Sequence, residues 1–296
     1  MITKKNFWII YRCRKKCVSS ENLKRFEEKM LRKVVRSSTC RWSHTIRSLS
    51  TNSSSHAFKI HDFRSKPKNS LIISCEHASN SLTSPFQWLN DDMHLRDSHW
   101  ASDPGANDFS VEFAKMCNTI AVCSTFSRLL IDPNRPISSI SLVRSECDGH
   151  QVKMNQDLTQ EDLEYRIWKY YIPYHLELGR CANEVDPELI VSVHTFSPKY
   201  EDDVRDFEIG VLCTFDESLC TRICDGLQED GFDTRINEPW SGKEGFMYSA
   251  DSLAIAQPNR RRSIMLELRN DLAVDSEWRN RVKTSLYRAL KLENLA

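Results

Sequence analysis

Along this chain, short apolar runs that end in polar residues alternate with longer stretches whose apolar residues recur three and four apart. Leu71, Ile72 and Ile73 form one short run, which stops at Glu76 and His77. Glu188 to Val193 forms a second, ending in His194, and Ser263 to Arg269 a third, with Glu267 late in it. Ile120 to Phe126 and Arg128 to Asp132 read as strand-like runs broken by Ser127, and Phe207 to Phe215 and Phe232 to Ile236 as further strands. Helical spacing appears between them. Asn107 or Asp108 is suited to cap a helix burying Phe109, Phe113 and Met116. Thr159 with Asp162 opens a longer helix through Leu163, Ile167, Tyr170, Tyr174, Leu178 and Cys181, which Pro173 should kink. Asp216 starts a helix that turns Leu219, Ile223 and Leu227 inward and stops at Gly231; Asp275 starts one burying Trp278, Val282, Leu286 and Leu290. Asn237 to Tyr248, with Pro239, Gly242 and Gly245, reads as a loop. Strands alternating with helices predict an α/β protein: a single three-layer domain whose mixed, mostly parallel sheet carries helices on both faces.

Charge separates the N-terminal part from the rest. Residues 1 to 60 carry 15 Lys and Arg against 3 Asp and Glu, a net +12, which leaves 26 against 38, a net −12, for the remainder. From Met30 to Lys59 there are six basic residues, no acidic ones and dense Ser and Thr, the composition of a mitochondrial presequence. Residues 1 to 29, with three glutamates, fit that pattern poorly, which suggests translation from Met30. A basic, disordered extension over 1–60 and a folded domain over 61–296 are therefore expected, with the mature protein in the mitochondrial matrix. A basic tail with no targeting role is the alternative, which places the protein in the cytoplasm. The 11 cysteines are odd in number and lack both C-x-x-C pairs and dense disulfide spacing, so reduced thiols are the simpler reading. No apolar run approaches a membrane span, and no groove-reading motif accompanies the basic residues, so neither membrane nor nucleic acid is expected as a partner.

Candidate chemistry gathers at the strand ends, where ligands sit in open α/β sheets. His77, His194 and Glu267 come from three such ends, and Asp103, Asn134 and Arg135 from adjoining loops. Two histidines and a carboxylate around an open position are what a catalytic zinc or similar divalent ion requires. Each histidine alone has a plainer reading, a core imidazole satisfied by a backbone carbonyl. The third ligand is open between Asp103 and Glu76, whose side chain alternates in facing with His77 on an extended strand; His99, four residues before Asp103 and on the same helix face, reads as a ligand, as a hydrogen-bond partner of a ligand, or as neither. Glu267, inside an apolar strand, suits a general base whose pKa burial raises; its alternative is a structural pairing with an arginine such as Arg269. Arg135 with Asn134, and Arg128 nearby, suit recognition of a carboxylate. Motifs of serine hydrolases, dinucleotide and nucleotide binders and zincins are absent.

Five segments in order, Cys75-Glu-His-Ala-Ser-Asn80, Ser102-Asp-Pro-Gly-Ala106, Ser127-Arg-Leu-Leu-Ile-Asp-Pro-Asn-Arg135, Ser192-Val-His-Thr-Phe-Ser-Pro198 and Leu266-Glu-Leu-Arg-Asn-Asp-Leu272, resemble the N-formylglutamate amidohydrolase family over about residues 68 to 292. Asp132-Pro-Asn-Arg135 also resembles the Asp-Leu-Asn-Arg turn of aspartoacylases, in the wider zinc carboxypeptidase-like group. In that group a ligand Glu follows the first histidine by three residues; here that place is Asn80, so Asp103, in a motif the nearer family shares, is preferred to Glu76. The resemblance implies a phosphorylase/hydrolase-like fold and hydrolysis of a small acidic amide such as N-formyl-L-glutamate. Zinc or another divalent metal would be held by His77, Asp103 and His194, with Glu267 as base. Arg135, Asn134 and Arg128 would hold substrate carboxylates, and Tyr248 and Trp240 would close the pocket. Two other readings stand beside it: a carboxypeptidase or aspartoacylase-like enzyme cleaving a larger acyl group, and a catalytically silent protein that binds a small carboxylate ligand.

Overall fold

The computed structural model describes residues 57–295 apart from 67, 68, 201, 258 and 260. The expected presequence and the start at Met30 lie outside the described residues. The expected boundary at residue 61 does not hold, because the folded part already includes Ala57 to Ile60. Strand β1 (Phe58–Asp62) pairs antiparallel with β3 (Ile120–Ser124) over five residues, and Phe58 and Ile60 pack against the core. Two apolar residues in a Ser- and Lys-bearing context were too faint a signal for that edge strand.

The remaining strands of the main sheet are β2 (Leu71–Cys75), β4 (Leu189–Phe196), β5 (Ile209–Leu212), β6 (Thr234–Ile236) and β7 (Arg262–Arg269), which with β1 and β3 make a seven-stranded sheet of order β1-β3-β2-β4-β7-β5-β6. β3, β2, β4 and β7 run parallel, whereas β1 joins β3 and β5 joins β7 in antiparallel fashion. The central strands are buried at nearly every position, as a sheet covered on both faces requires. One face buries α1 (Ala106–Met116), α4 (Glu217–Glu229) and α6 (Ser276–Leu292) against Leu71, Ile73, Val191, Val193 and Leu266. The other buries α2 (Gln160–Arg166), α3 (Ile172–Val185) and α5 (Tyr248–Ala256) against Ile72, Val122 and Ile190. This is the expected three-layer α/β domain.

Local chemistry explains most boundaries. Thr159 and Asp162 form the reciprocal capping box at α2, and the side chains of Asp216 and Asp275 accept from the backbone N–H groups of Leu219 and Trp278 at the starts of α4 and α6. Pro173 leaves its mark one turn earlier, as a π-helical turn over Ile167–Tyr171 where the Ile172 N–H reaches back to the Ile167 carbonyl. Four expectations are corrected. Helix α1 is entered through Gly105 at φ +83°, with no side-chain cap from Asn107 or Asp108. Met116 at its far end is 39% exposed. Arg128 to Asp132 is a turn rather than a strand, with Leu130 N bonded to Ser127 O at 2.9 Å and Arg128 N to Ala101 O at 3.2 Å. Tyr248 begins helix α5 instead of ending a loop.

Candidate active site

The carboxyl ends of β2, β4 and β7 deliver the central residues. β4 and β7 are in register, with His194 opposite Glu267, so both side chains leave the same face of adjacent strands. β2 ends at Cys75, after which the chain turns, so that Glu76 and His77 no longer alternate across a sheet. Asp103, at the entry to α1, is placed by its N–H donating to the His77 carbonyl at 2.9 Å. Asp132 lies in the turn after β3, where its Oδ1 accepts from the Asn134 N–H at 2.8 Å.

Three donor atoms converge. His194 Nδ1 is 2.9 Å from Asp103 Oδ2 and 3.0 Å from His77 Nδ1, and His77 Nδ1 is 3.3 Å from the same carboxylate oxygen. Bonds of about 2.0 Å to a tetrahedral ion separate ligand atoms by about 3.3 Å, so this spacing fits a small divalent cation. The far side of each ring is held by a carboxylate: His77 Nε2 meets Asp132 Oδ1 at 2.8 Å, and His194 Nε2 meets Glu76 Oε2 at 3.1 Å. Such pairing holds Nε2 of each ring and turns Nδ1 inward as the atom that would face a cation, the arrangement that metal-binding imidazoles use. Arg128 reports the Nε2-protonated tautomer for His77, since its Nη1 can only donate and lies 3.1 Å from Nδ1.

Electrostatics follow from that packing. Burial opposes the charge on His194, but the hydrogen bonds and charges of Asp103 and Glu76 outweigh it and raise the imidazole to about 10. Burial would raise Glu76 as well, yet His194, Ser192 and Ser74 hold it down at about 2. Its oxygens accept from Ser192 Oγ at 2.7 Å and the Tyr174 hydroxyl at 3.2 Å. Against the same burial, His77 and Arg128 keep Asp103 well below the usual carboxylate range. Glu267 goes the other way: burial lifts it to about 7, and its Oε2 has no hydrogen-bond partner among the described residues.

Arg128 is drawn into the centre, 3.3 Å from Asp103 Oδ1, with Nε donating to the Trp100 carbonyl at 3.1 Å and Nη2 to the His99 carbonyl. His99 thus offers its backbone to Arg128 while its ring leans on Trp100. Asn80 is turned away, donating to the Arg96 carbonyl at 2.9 Å. Asn134 lies 3.4 Å from His194 Nε2, and its amide is engaged by the Phe246 carbonyl at 2.7 Å and the Ser249 N–H at 3.1 Å. Arg135 stands over the Phe246 ring at 4.9 Å, its side chain 15% exposed. Trp240 stacks on Phe246, whereas Tyr248 faces His175 edge to face on the α3 side. Asp132 was the site residue missed as a histidine partner; the only signal for it was its place two residues ahead of Asn134.

The model of the N-formylglutamate amidohydrolase family matches residues 69–274. Among solved structures, a gene product of Agrobacterium tumefaciens superposes with a TM-score of 0.72 at 25% identity, covering 81% of this chain and 97% of its own. An N-formylglutamate amidohydrolase from Ralstonia eutropha JMP134 superposes with a TM-score of 0.62 at 16% identity, covering 81% of this chain and 99% of its own. A search of curated protein sequences returned no match. The chain belongs to the N-formylglutamate amidohydrolase family and is a hydrolase acting on amide bonds.

Proposed function

We propose that this chain is a metal-dependent amidohydrolase that removes a formyl or other small acyl group from an acidic N-acyl amino acid such as N-formyl-L-glutamate. The observation that carries the reading is the convergence of His77 Nδ1, Asp103 Oδ2 and His194 Nδ1 within 2.9 to 3.3 Å beside the unpartnered Oε2 of Glu267. A zinc or similar divalent ion, held by those three atoms, would supply Lewis-acid polarisation of the acyl carbonyl and acidification of a water molecule.

The residues of the chain do the rest. Glu267 takes the proton of the attacking water at Oε2 and hands it to the departing amine nitrogen. Burial, by lifting its carboxyl from 4.5 to about 7, suits it to both transfers near neutrality. Asp132 and Glu76 hold Nε2 of the two imidazoles so that Nδ1 of each is the atom offered to a cation, and metal binding would release the Nδ1 proton that His194 otherwise keeps. Arg128, 3.3 Å from Asp103, offsets the cluster of carboxylates, and the partly exposed guanidinium of Arg135 receives a substrate carboxylate. Asn134 serves by position, tying the Asp132 turn to Phe246 and to the start of α5.

A panel of N-formyl-L-glutamate, N-acetyl-L-aspartate and N-formyl-L-leucine, assayed with metal-loaded protein, tests the reading. Formate release from N-formyl-L-glutamate is expected to exceed that from N-formyl-L-leucine by about 100-fold in kcat/KM, roughly the value of one charged hydrogen-bonded contact. No turnover of any of the three, or equal turnover of the leucine compound, would contradict it, and faster release of acetate would assign the acyl group as acetyl. For residues 30 to 60 the proposal is a mitochondrial presequence, so a fluorescent reporter fused behind them should enter mitochondria. Diffuse cytosolic fluorescence would be the contrary result.

A further inference from the structure

Arg205 stands at the site without a role in the chemistry above. It follows the hairpin of Lys199–Tyr200 and Asp203–Val204, which leaves the carboxyl end of β4 just beyond His194. Its guanidinium carbon lies 4.4 Å from the Trp240 ring and 5.0 Å from the Tyr200 ring, and those rings meet edge to face at 5.5 Å. The residue is 5% exposed, yet only Nε is paired, to Asp203 Oδ2 at 3.1 Å on a side chain that is 68% exposed. Neither Nη nitrogen has a hydrogen-bond partner among the described residues, and neither is sealed from solvent. A guanidinium held between two rings, with both terminal nitrogens unpaired by protein and open to solvent, is placed to accept an anion.

The neighbourhood says where that anion belongs. Trp240 stacks on Phe246 at 5.4 Å and 21°, and Arg135 lies over Phe246 at 4.9 Å. Arg135 thus packs on one ring of the stacked pair, next to the Asp132 turn, and Arg205 on the other, next to the His194 strand. Packed on different rings, the two guanidiniums offer two separate places for an anion. The charge of Arg205 is also felt at Glu267, where it works against the burial that raises that carboxyl.

Building on the amidohydrolase reading, we propose that Arg205 is a specificity-determining residue that takes a second carboxylate of the substrate on its Nη nitrogens, leaving the first to Arg135. The aromatic clamp holds the planar fork ready, so little side-chain freedom is lost on binding. The site then selects dicarboxylic over monocarboxylic N-acyl amino acids.

Glutarate and its monoamide, glutaramate, test this by calorimetry on the full chain, because they differ only in one carboxylate and need no turnover. The wild type is expected to prefer glutarate by about 10- to 100-fold, the range of one charge-assisted hydrogen-bonded contact. Arg205→Met should erase that preference while leaving glutaramate affinity within a factor of about two, since the amide end loses little there. Arg205→Lys, which keeps the stem and the charge without the fork, should lose part of it and decides the matter if the methionine variant does not fold. A wild type with no preference, or a preference unmoved in the folded variants, overturns the assignment. Formate release with the preference unmoved by Arg205→Met would remove Arg205 alone. A preference lost in that variant without any formate release would support Arg205 and remove the amidohydrolase reading.

Discussion

Glu267 shows how one residue's surroundings set both chemistry and stability. An acid whose folded pKa is raised from 4.5 to about 7 binds more protons folded than unfolded between those values, so its stabilising contribution is complete below 4.5 and is lost as pH rises through 7. At pH 8 the ionised carboxylate costs the fold roughly 3 kcal/mol, two to three pKa units at 1.4 kcal/mol each. In chelator-treated protein, Glu267→Gln should therefore unfold at higher denaturant concentration than wild type at pH 8, with the gap closing toward pH 4. A gap that is absent at pH 8 would mean that the carboxyl is not buried alone. Asp132 makes the complementary case. Asp132→Asn leaves His77 in place but weakens the partner that fixes its tautomer, so metal affinity should fall about 10- to 100-fold, as read by competition with a chromogenic chelator. Unchanged affinity would take Asp132 out of the site.

At the scale of elements, close approaches of backbone decide where the side chains of the candidate site stand. Gly210 on β5 lies opposite Glu267 on β7, and a Cβ there would come within 1.9 Å of the Glu238 carbonyl oxygen and 3.3 Å of the Glu267 Cβ. Gly210→Ala should thus push β5 from the 237–247 loop, costing roughly 2 kcal/mol or more in denaturant unfolding and lowering kcat with it. Wild-type stability in that variant would show that the loop is free to give way. The elements also explain what was legible in advance. β2, β4 and β7 were readable because buried parallel strands are continuous apolar runs, and α2, α4 and α6 because their starts carry Thr159, Asp216 and Asp275. Helix α5 was not, because its residues are apolar or small on most sides, so no polar face marks a helical period. Arg128 to Asp132 misled for a related reason: Leu129 packs into one cluster and Leu130 and Ile131 into another, so burial on several sides mimics a buried strand.

The whole molecule gathers its site from segments far apart in sequence. A parallel sheet sends the ends of β2, β4 and β7 to one edge, and loops from the entry of α1 and the exit of β3 close over it. That architecture made His77, His194, Asp103 and Glu267 legible as a group, since each sits at or beside such an end. What stayed hidden were partnerships set only by packing, such as Asp132 on His77, Glu76 on His194, and Arg205 between Tyr200 and Trp240. No periodicity or motif encodes a contact between loops that meet only after the sheet has formed.

The most direct test is the rate of formate release from N-formyl-L-glutamate as zinc is titrated into chelator-stripped wild type and Glu267→Gln. Wild-type rate should climb from baseline and level off at one equivalent, while Glu267→Gln binds the same equivalent yet stays about 100- to 10,000-fold slower, the usual contribution of a general base. A wild-type rate indifferent to the added metal, or a Glu267→Gln rate near that of wild type, would contradict the account.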